Sequence, residues 1–184
     1  MGKQRAVYQL KLLQLNTYAK LECKSYQGPY LSLLYFPEAF KVKSTKLHKS
    51  VVKTLEAVVG GPKFCMTDVR LSAGYQLDAV VILSGDDTPL PVSYFKETVD
   101  PGLNIIDKLL QSHTRVAIVT WGPSDYLFGR KQLIGRSVMA KRHIHLLGFH
   151  VIEVPFQKWS SLRSHWERLR FIKHKMTNAT KHRV

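Results

Sequence analysis

The chain has 184 residues, of which 45% are hydrophobic, and carries a formal net charge of +15. This length and apolar content are sufficient for one folded domain of ordinary size with an appendage. No stretch approaches the roughly 18 consecutive apolar residues that a membrane-spanning helix needs, so we expect no membrane span. Two cysteines, Cys23 and Cys65, are too few for a disulfide framework or a four-ligand zinc site.

The charge is unevenly distributed along the chain. Residues 126–184 contain thirteen Lys and Arg against two acids, whereas residues 66–125 carry −4 and residues 1–65 carry +8. A basic surface confined to one part of a soluble chain typically meets a polyanion, and the common biological polyanion is nucleic acid. Colloidal solubility and attraction to a membrane surface are the alternatives that charge alone leaves open.

Helical spacing dominates the first 60 residues. Apolar residues from Val7 to Leu21 recur at this spacing, and Gly28-Pro29 and Pro37 then interrupt the pattern. Residues 48–59 predict a second helix, which ends at Gly60-Gly61-Pro62. We therefore expect residues 1–60 to form a helical segment and residues 61–184 to form a separate domain.

Beyond residue 61 the apolar period changes to that of strands. We predict strands at 74–83, 115–121 and 149–156, a turn-rich loop at 84–93, and helices at 133–147 and 158–176. This order is typical of a compact α/β domain with a mixed sheet.

The two predicted helices of this domain differ in how they present charge. In the first, Ala140 and Ile144 would face the sheet, while Lys141, Arg142 and His145 lie on a different face. In the second, an apolar stripe predicts core packing rather than a base-stacking platform. The stripe consists of Trp159, Leu162, Trp166, Leu169, Ile172 and Met176.

Residues 133–159 resemble the signature of the RAP domain, a module named for RNA-binding proteins abundant in apicomplexans. The matching features are Gly135-Arg136, Lys141-Arg142-His143, Leu146-Leu147-Gly148-Phe149, Val151-Ile152 and Trp159, with Gly74-Tyr75-Gln76-Leu77-Asp78, Ala117-Ile118-Val119 and Gly122-Pro123 upstream. Residues 13–29 are similar to the helical region that precedes RAP in the FAST kinase domain family.

The resemblance implies an RNA-binding module of a mitochondrial regulator of RNA processing or stability. It also implies location in the mitochondrial matrix, with the transit peptide upstream of this chain. The expected partner is single-stranded or structured mitochondrial RNA, together with other RNA-processing proteins. No kinase motif supports the word kinase in the family name, because the chain has neither a G-x-G-x-x-G loop nor a His-Arg-Asp followed by Asn.

Two sets of residues are candidates for RNA binding. Phosphate contacts would supply affinity, and aromatic rings would stack on bases if they are exposed. The phosphate-binding candidates are Arg130, Lys131, Arg136, Lys141, Arg142, His145 and Lys158, and the stacking candidates are Trp121, Tyr126 and Phe128.

The resemblance also raises a catalytic alternative, because RAP is similar in fold to the PD-(D/E)XK nucleases. Asp78 matches the first metal-binding carboxylate of those enzymes, but Val119 and Trp121 stand where the acidic positions of the next strand are expected. Glu56, Asp125 and Glu153 are the acids that would have to substitute. We therefore expect no cofactor and no metal, with Mg²⁺ required only if the endonuclease alternative holds. A third alternative is a module that docks an acidic protein partner.

Overall fold

The structure is a computed structural model that describes residues 2–29, 45–71, 73–93 and 113–181. The predicted strands and most predicted helices are present, and Pro37 lies outside the described residues. Within these ranges the helices are α1 (Gly2–Glu22), α2 (Lys46–Val59), α3 (Gly135–Leu146), α4 (Phe156–Ser161) and α5 (His165–Lys181), and the strands are β1 (Met66–Arg70), β2 (Gln76–Leu83), β3 (Thr114–Trp121) and β4 (His150–Pro155).

The sheet is mixed, as the sequence predicted. Its strand order is β1-β2-β3-β4, with antiparallel pairing from β1 to β3 and parallel pairing between β3 and β4. The parallel pair is joined by a crossover through α3, which is what parallel neighbours require. Because β3 and β4 run in the same direction, both end at one edge of the sheet, where Trp121 lies opposite Pro155. We call this edge the carboxyl edge.

Helices cover both faces of the sheet. On one face, Leu55 of α2, Trp159 of α4 and Ile172 of α5 pack against the strands. On the other face, Ile144 of α3 packs against Ala117. The two central strands are buried almost throughout, because neither face is left open to water. Helix α2 thus contributes to the core of the α/β fold, although it precedes residue 60. The domain boundary at residue 60 stays a prediction.

Helix α2 begins and ends where local chemistry requires. The side chain of Thr45 accepts a hydrogen bond from the backbone N–H of His48 at 3.1 Å, which satisfies one free donor of the first turn. Gly60 ends the helix in the left-handed conformation, with φ of 94°, where a residue without Cβ is favoured. The predicted stop at Gly60 is confirmed.

The prediction of one helix over residues 158–176 is wrong. The structure has α4 and α5 there, separated by three residues, because Ser164 and Glu167 form a capping box that starts a new helix. The backbone N–H of Glu167 donates to Ser164 Oγ at 3.1 Å, and the backbone N–H of Ser164 donates to Glu167 Oε2 at 3.2 Å. The restart leaves Trp166 73% exposed, whereas Ile172 is buried as predicted.

Candidate nucleic-acid interface

The chain leaves both parallel strands at the carboxyl edge, and the segments that follow them are in contact. After β3 it makes the turn Pro123–Asp125, and after β4 it enters α4. The rings of Tyr126 and Phe156 meet edge to face, with centroids 5.7 Å apart, so the two segments are held together. In open α/β sheets, ligands bind outside the carboxyl ends of the strands. This edge is therefore the first place to look for a binding surface.

Asp125 organises the turn after β3. Its Oδ2 atom accepts the backbone N–H of Gly122 at 2.9 Å, and its Oδ1 atom accepts the hydroxyl of Ser137 at 3.0 Å. Both carboxylate oxygens are thus used to fix the turn against the start of α3. Asp125 serves the architecture of the edge and does not point toward a metal site.

A tight hairpin, residues 126–133, projects from this turn. Tyr126 bridges to Leu133, and the backbone N–H of Arg130 donates to the carbonyl of Leu127 at 3.0 Å, closing a β-turn. Gly129 occupies the third position of that turn with φ of 68°, the value that a type II turn requires there. Phe128 consequently stands at the tip with its side chain fully exposed.

Four of the seven predicted phosphate-binding residues surround this hairpin. Arg130 and Lys131 belong to it, and Lys158 lies on α4 beside it. These three side chains are exposed and form no ion pair with any other described residue. The fourth, Arg136, donates to the carbonyl of Ser124 at 3.1 Å and remains 65% exposed. The structure thus brings an exposed aromatic ring and several cations together at the carboxyl edge.

The remaining three basic residues lie elsewhere or are already paired. Lys141 Nζ lies 2.6 Å from Glu153 Oε1, and Arg142 Nε lies 2.7 Å from Glu22 Oε1. His145 lies at the far end of α3, about 15 Å along the helix axis from the hairpin side. The sequence could not separate Lys141 and Arg142 from Arg130 and Lys131, because their acidic partners Glu153 and Glu22 lie on other elements, β4 and α1.

Only one of the three predicted stacking residues is free to stack. Trp121 is 6% exposed, and its Nε1–H donates to Glu153 Oε2 at 2.9 Å, so it does not meet the condition of exposure. Tyr126 is half-buried, and burial is the main cause that raises the pKa of its phenol, with further contributions from Glu153 and Asp125. Phe128 alone presents an open ring face.

Asp78, the candidate catalytic carboxylate, is bonded to protein groups on both oxygens. Its Oδ1 atom lies 2.6 Å from His48 Nδ1, and its Oδ2 atom accepts the backbone N–H of Thr120. The hydrogen bond that the Asp78 carboxylate accepts from the ring is the main cause that raises the pKa of His48, against the opposing effect of burial. Asp68 lies 3.5 Å from the other ring nitrogen. The imidazole of His48 thus lies between the two carboxylates, in the position that a cation would need.

The other candidate acids do not converge on Asp78. Glu56 lies two turns beyond His48 on α2, about 12 Å along the helix. Glu153 is held by Trp121 and Lys141. Within the described ranges, no group of three or more His, Cys, Asp or Glu side chains is arranged so that it could hold a metal ion. The residues therefore do not fit a Mg²⁺ site of the two-carboxylate kind.

Two family models match the chain. Residues 9–91 match FAST kinase-like protein, subdomain 2, and residues 118–175 match the RAP domain. FAST kinase domain-containing protein 4 of Mus musculus is 33% identical over 182 residues, which are 96% of this chain and 28% of that protein. This chain belongs to the FAST kinase domain family. The human protein 4 is 32% identical, over 92% of this chain and 27% of its own length.

Less similar family members match nearly the whole of this chain as well. FAST kinase domain-containing protein 3, mitochondrial, of Rattus norvegicus is 29% identical over 95% of this chain and 26% of that protein. The chain thus spans little more than a quarter of these relatives. No solved structure matches it, so the resemblance to PD-(D/E)XK nucleases stays a prediction. Of the helices described for this family member, none is long and apolar enough to cross a membrane.

Two residues of this FAST kinase domain chain escaped prediction. His48 carries no local signal, because its partners Asp68 and Asp78 lie on strands 20 and 30 residues away. Trp166 did carry a signal, since Ser164-His165-Trp166-Glu167 has the S-x-x-E spacing of a capping box. That spacing predicts a helix start at this point and thus a break in the apolar stripe; the prediction that Trp166 packs in the core is wrong.

Proposed function

We propose that this chain is an RNA-binding module and that it acts in mitochondrial RNA processing or mRNA stability. The observation that carries the proposal is the hairpin tip, where the exposed ring of Phe128 is followed in the chain by the exposed cations Arg130 and Lys131. An exposed aromatic ring with cations in the same hairpin suits an unpaired base and its adjoining phosphates. The hairpin lies within the RAP match, which supports the assignment to RNA.

Electrostatics favour the same ligand. The cations of the hairpin and Lys158 have no carboxylate partners among the described residues, so their charge is available to an anion. Each phosphate neutralised on a single strand contributes a slope of roughly 0.7 in log affinity against log salt. Three or four contacts at the carboxyl edge would give a slope of about −2 to −3.

The mitochondrial setting rests on the relatives. Family members 3 and 1 carry the word mitochondrial in their names, which supports a mitochondrial location for this protein. We place it in the matrix, where mitochondrial RNA is found. The endonuclease alternative has no comparable support, since Asp78 is committed to His48 and Thr120.

The test is the affinity for a labelled, unstructured single-stranded RNA, measured by fluorescence anisotropy at several salt concentrations. Phe128→Ala should weaken binding by roughly fivefold to a hundredfold, the loss expected for one stacked base. Arg130→Ala/Lys131→Ala should lower the salt slope by about 1.4. A matched control is Lys11→Ala/Lys24→Ala, which removes two exposed cations of the α1 region. Absence of binding at low salt, or equal loss in both double variants, would reject the hairpin as the RNA site.

A further inference from the structure

Trp166 is exposed in a protein whose other tryptophans are buried. It is 73% exposed, whereas Trp121 and Trp159 are 6% and 4% exposed. Its position on the first turn of α5 is fixed by the capping box described above, so the outward indole is held by the helix start. Tryptophan is enriched among the residues that dominate binding energy at interfaces, and an indole that borders an apolar groove is a candidate contact site.

The indole borders a groove between α2 and α5 of about 410 Å³. Ala57, Val58 and Leu169 supply its apolar wall, and the cations of Arg170 and Lys173 lie at its rim. No carboxylate of a described residue lines the groove. Neither rim cation forms an ion pair with another described residue.

The size of the groove and the cations at its rim favour a nucleobase over an amphipathic helix as the ligand. Its volume lies at the lower end of the roughly 300–1,000 Å³ of small-ligand sites, which suits planar rings. A docked amphipathic helix would need anchor pockets over several turns. The aromatic face, the apolar wall and the cations together match a nucleobase with its adjoining phosphates.

Exposed cations also connect the groove with the hairpin. Helix α4 starts at the hairpin through the contact between Tyr126 and Phe156, and it exposes Lys158. Arg163 follows in the link to α5 and is exposed as well. A single strand that follows this segment from Phe128 toward the indole would find these two cations available to its phosphates.

We propose that the groove around Trp166 is a second base-binding site, which takes an unpaired nucleobase of the same RNA strand. The inference rests on the proposed function and extends it, since it makes the ligand a single strand. A base can enter the groove only when it is splayed out of any duplex, so double-stranded RNA is excluded from this site.

Acrylamide quenching gives a direct readout of Trp166, because the other two indoles are buried. The ligand should be an unstructured RNA of about twenty nucleotides, longer than the roughly 4–16 that one single-strand-binding fold occupies. It should protect the fluorescence from acrylamide, and the same sequence as a duplex should not. Trp166→Ala should weaken the affinity by roughly fivefold to a hundredfold, and Trp166→Phe should retain most of it. Arg170→Ala/Lys173→Ala should lower the salt slope by about 1.4.

The possible outcomes separate the two proposals. If Phe128→Ala weakens binding but Trp166→Ala does not, and bound RNA leaves the indole open to acrylamide, the groove is not an RNA site and the hairpin function stands. If neither the wild-type protein nor any variant binds RNA, the proposed function is wrong, and so is the assignment of the groove. If an acidic amphipathic peptide protects the indole and RNA does not, the groove is a protein-docking site and the inference is wrong. Thermal unfolding of Trp166→Ala should match the wild type, because the side chain is exposed.

Discussion

The Nε2 atom of His143 lies 2.6 Å from the Oε1 atom of Glu22, which ties the end of α1 to α3. A carboxylate only accepts hydrogen bonds, so Nε2 donates to Glu22, and the other ring nitrogen, Nδ1, lies within hydrogen-bond distance of the Tyr75 hydroxyl, at 2.6 Å. The hydrogen bond from Arg142 is the main cause that lowers the pKa of Glu22, and burial is the main cause that raises the pKa of Tyr75. The contact with Glu22 therefore holds the first helix to the α/β fold, and both ring nitrogens of His143 have a hydrogen-bond partner.

His143→Ala should destabilise the protein by about 2–4 kcal/mol, because it opens a cavity at a fully buried position and leaves Tyr75 without its partner. Chemical denaturation of the variant measures this loss. Arg130→Ala is the matched control, since its side chain is exposed and should change the free energy of unfolding by no more than about 0.5 kcal/mol. Equal stability of the two variants would show that the His143 bonds do not form in solution.

Lys141→Ala/Arg142→Ala should lower the free energy of unfolding by more than it weakens the free energy of RNA binding. The two side chains pair with Glu153 and Glu22, which are distant in sequence, so their loss removes links between elements. The sequence alone predicted the reverse, because on a helical wheel both residues lie off the apolar face. Thermal unfolding and RNA titration of the same variant, with Arg130→Ala/Lys131→Ala beside it, separate the two effects. Unchanged stability with lost RNA binding would restore the sequence-based prediction.

Asp78→Ala should destabilise the fold by about 1–3 kcal/mol, since it leaves the buried ring of His48 and the backbone N–H of Thr120 without an acceptor. Asp78→Asn should cost less, because the amide oxygen still accepts one bond. Incubation with labelled RNA in Mg²⁺, in Mn²⁺ and in chelator completes the experiment. Metal-dependent cleavage that the wild type shows and the variant loses would favour the endonuclease alternative, with Glu56, Asp125 and Glu153 the next residues to change.

The contribution of His48 to stability should decrease as the pH rises. Its pKa in the folded protein lies above the ordinary value of 6.5, mainly because of the hydrogen bond with Asp78. A raised folded pKa means that the stabilisation is fully present below the unfolded value and is lost as the pH passes the folded value. Unfolding free energies measured from about pH 6 to pH 9 should therefore fall in the wild type and fall less in His48→Gln. Parallel curves would show that folding does not raise the pKa of His48.

Sequence patterns predicted the fold well because the signals are local. The end of α2 depends on Gly60, and the three predicted strands depend on runs of apolar residues in the chain. Strand β1 was not predicted, because its short, largely exposed sequence shows no clear alternation. The break before α5 was also missed, although the pair Ser164 and Glu167 encodes it, because the apolar stripe continued across the break.

The candidate site was harder to predict, because charge identifies a residue type and not its partner. Arg130 and Arg142 are equally basic in sequence, yet one projects from a hairpin and the other is bound to Glu22, 120 residues away. The same limit applies to Asp78, whose role is set by a histidine on a preceding helix. Exposure separated Phe128 from Trp121: Phe128 stands in a turn with Gly129, whereas Trp121 ends a buried strand.

Cys65 should react with iodoacetamide far more slowly than Cys23 in the folded protein. Burial is the main cause that raises the pKa of the Cys65 thiol to about 12, with a smaller contribution from Glu56, whereas Cys23 is only half-buried. The thiolate is the reactive form, and at pH 8 a thiol with that pKa is ionised in roughly one molecule in ten thousand. Pulse alkylation followed by peptide mass spectrometry measures the two rates separately. Both cysteines should react at similar rates in denaturant, which controls for their intrinsic reactivity, and similar rates in the native protein would mean that the helix α2 region opens readily.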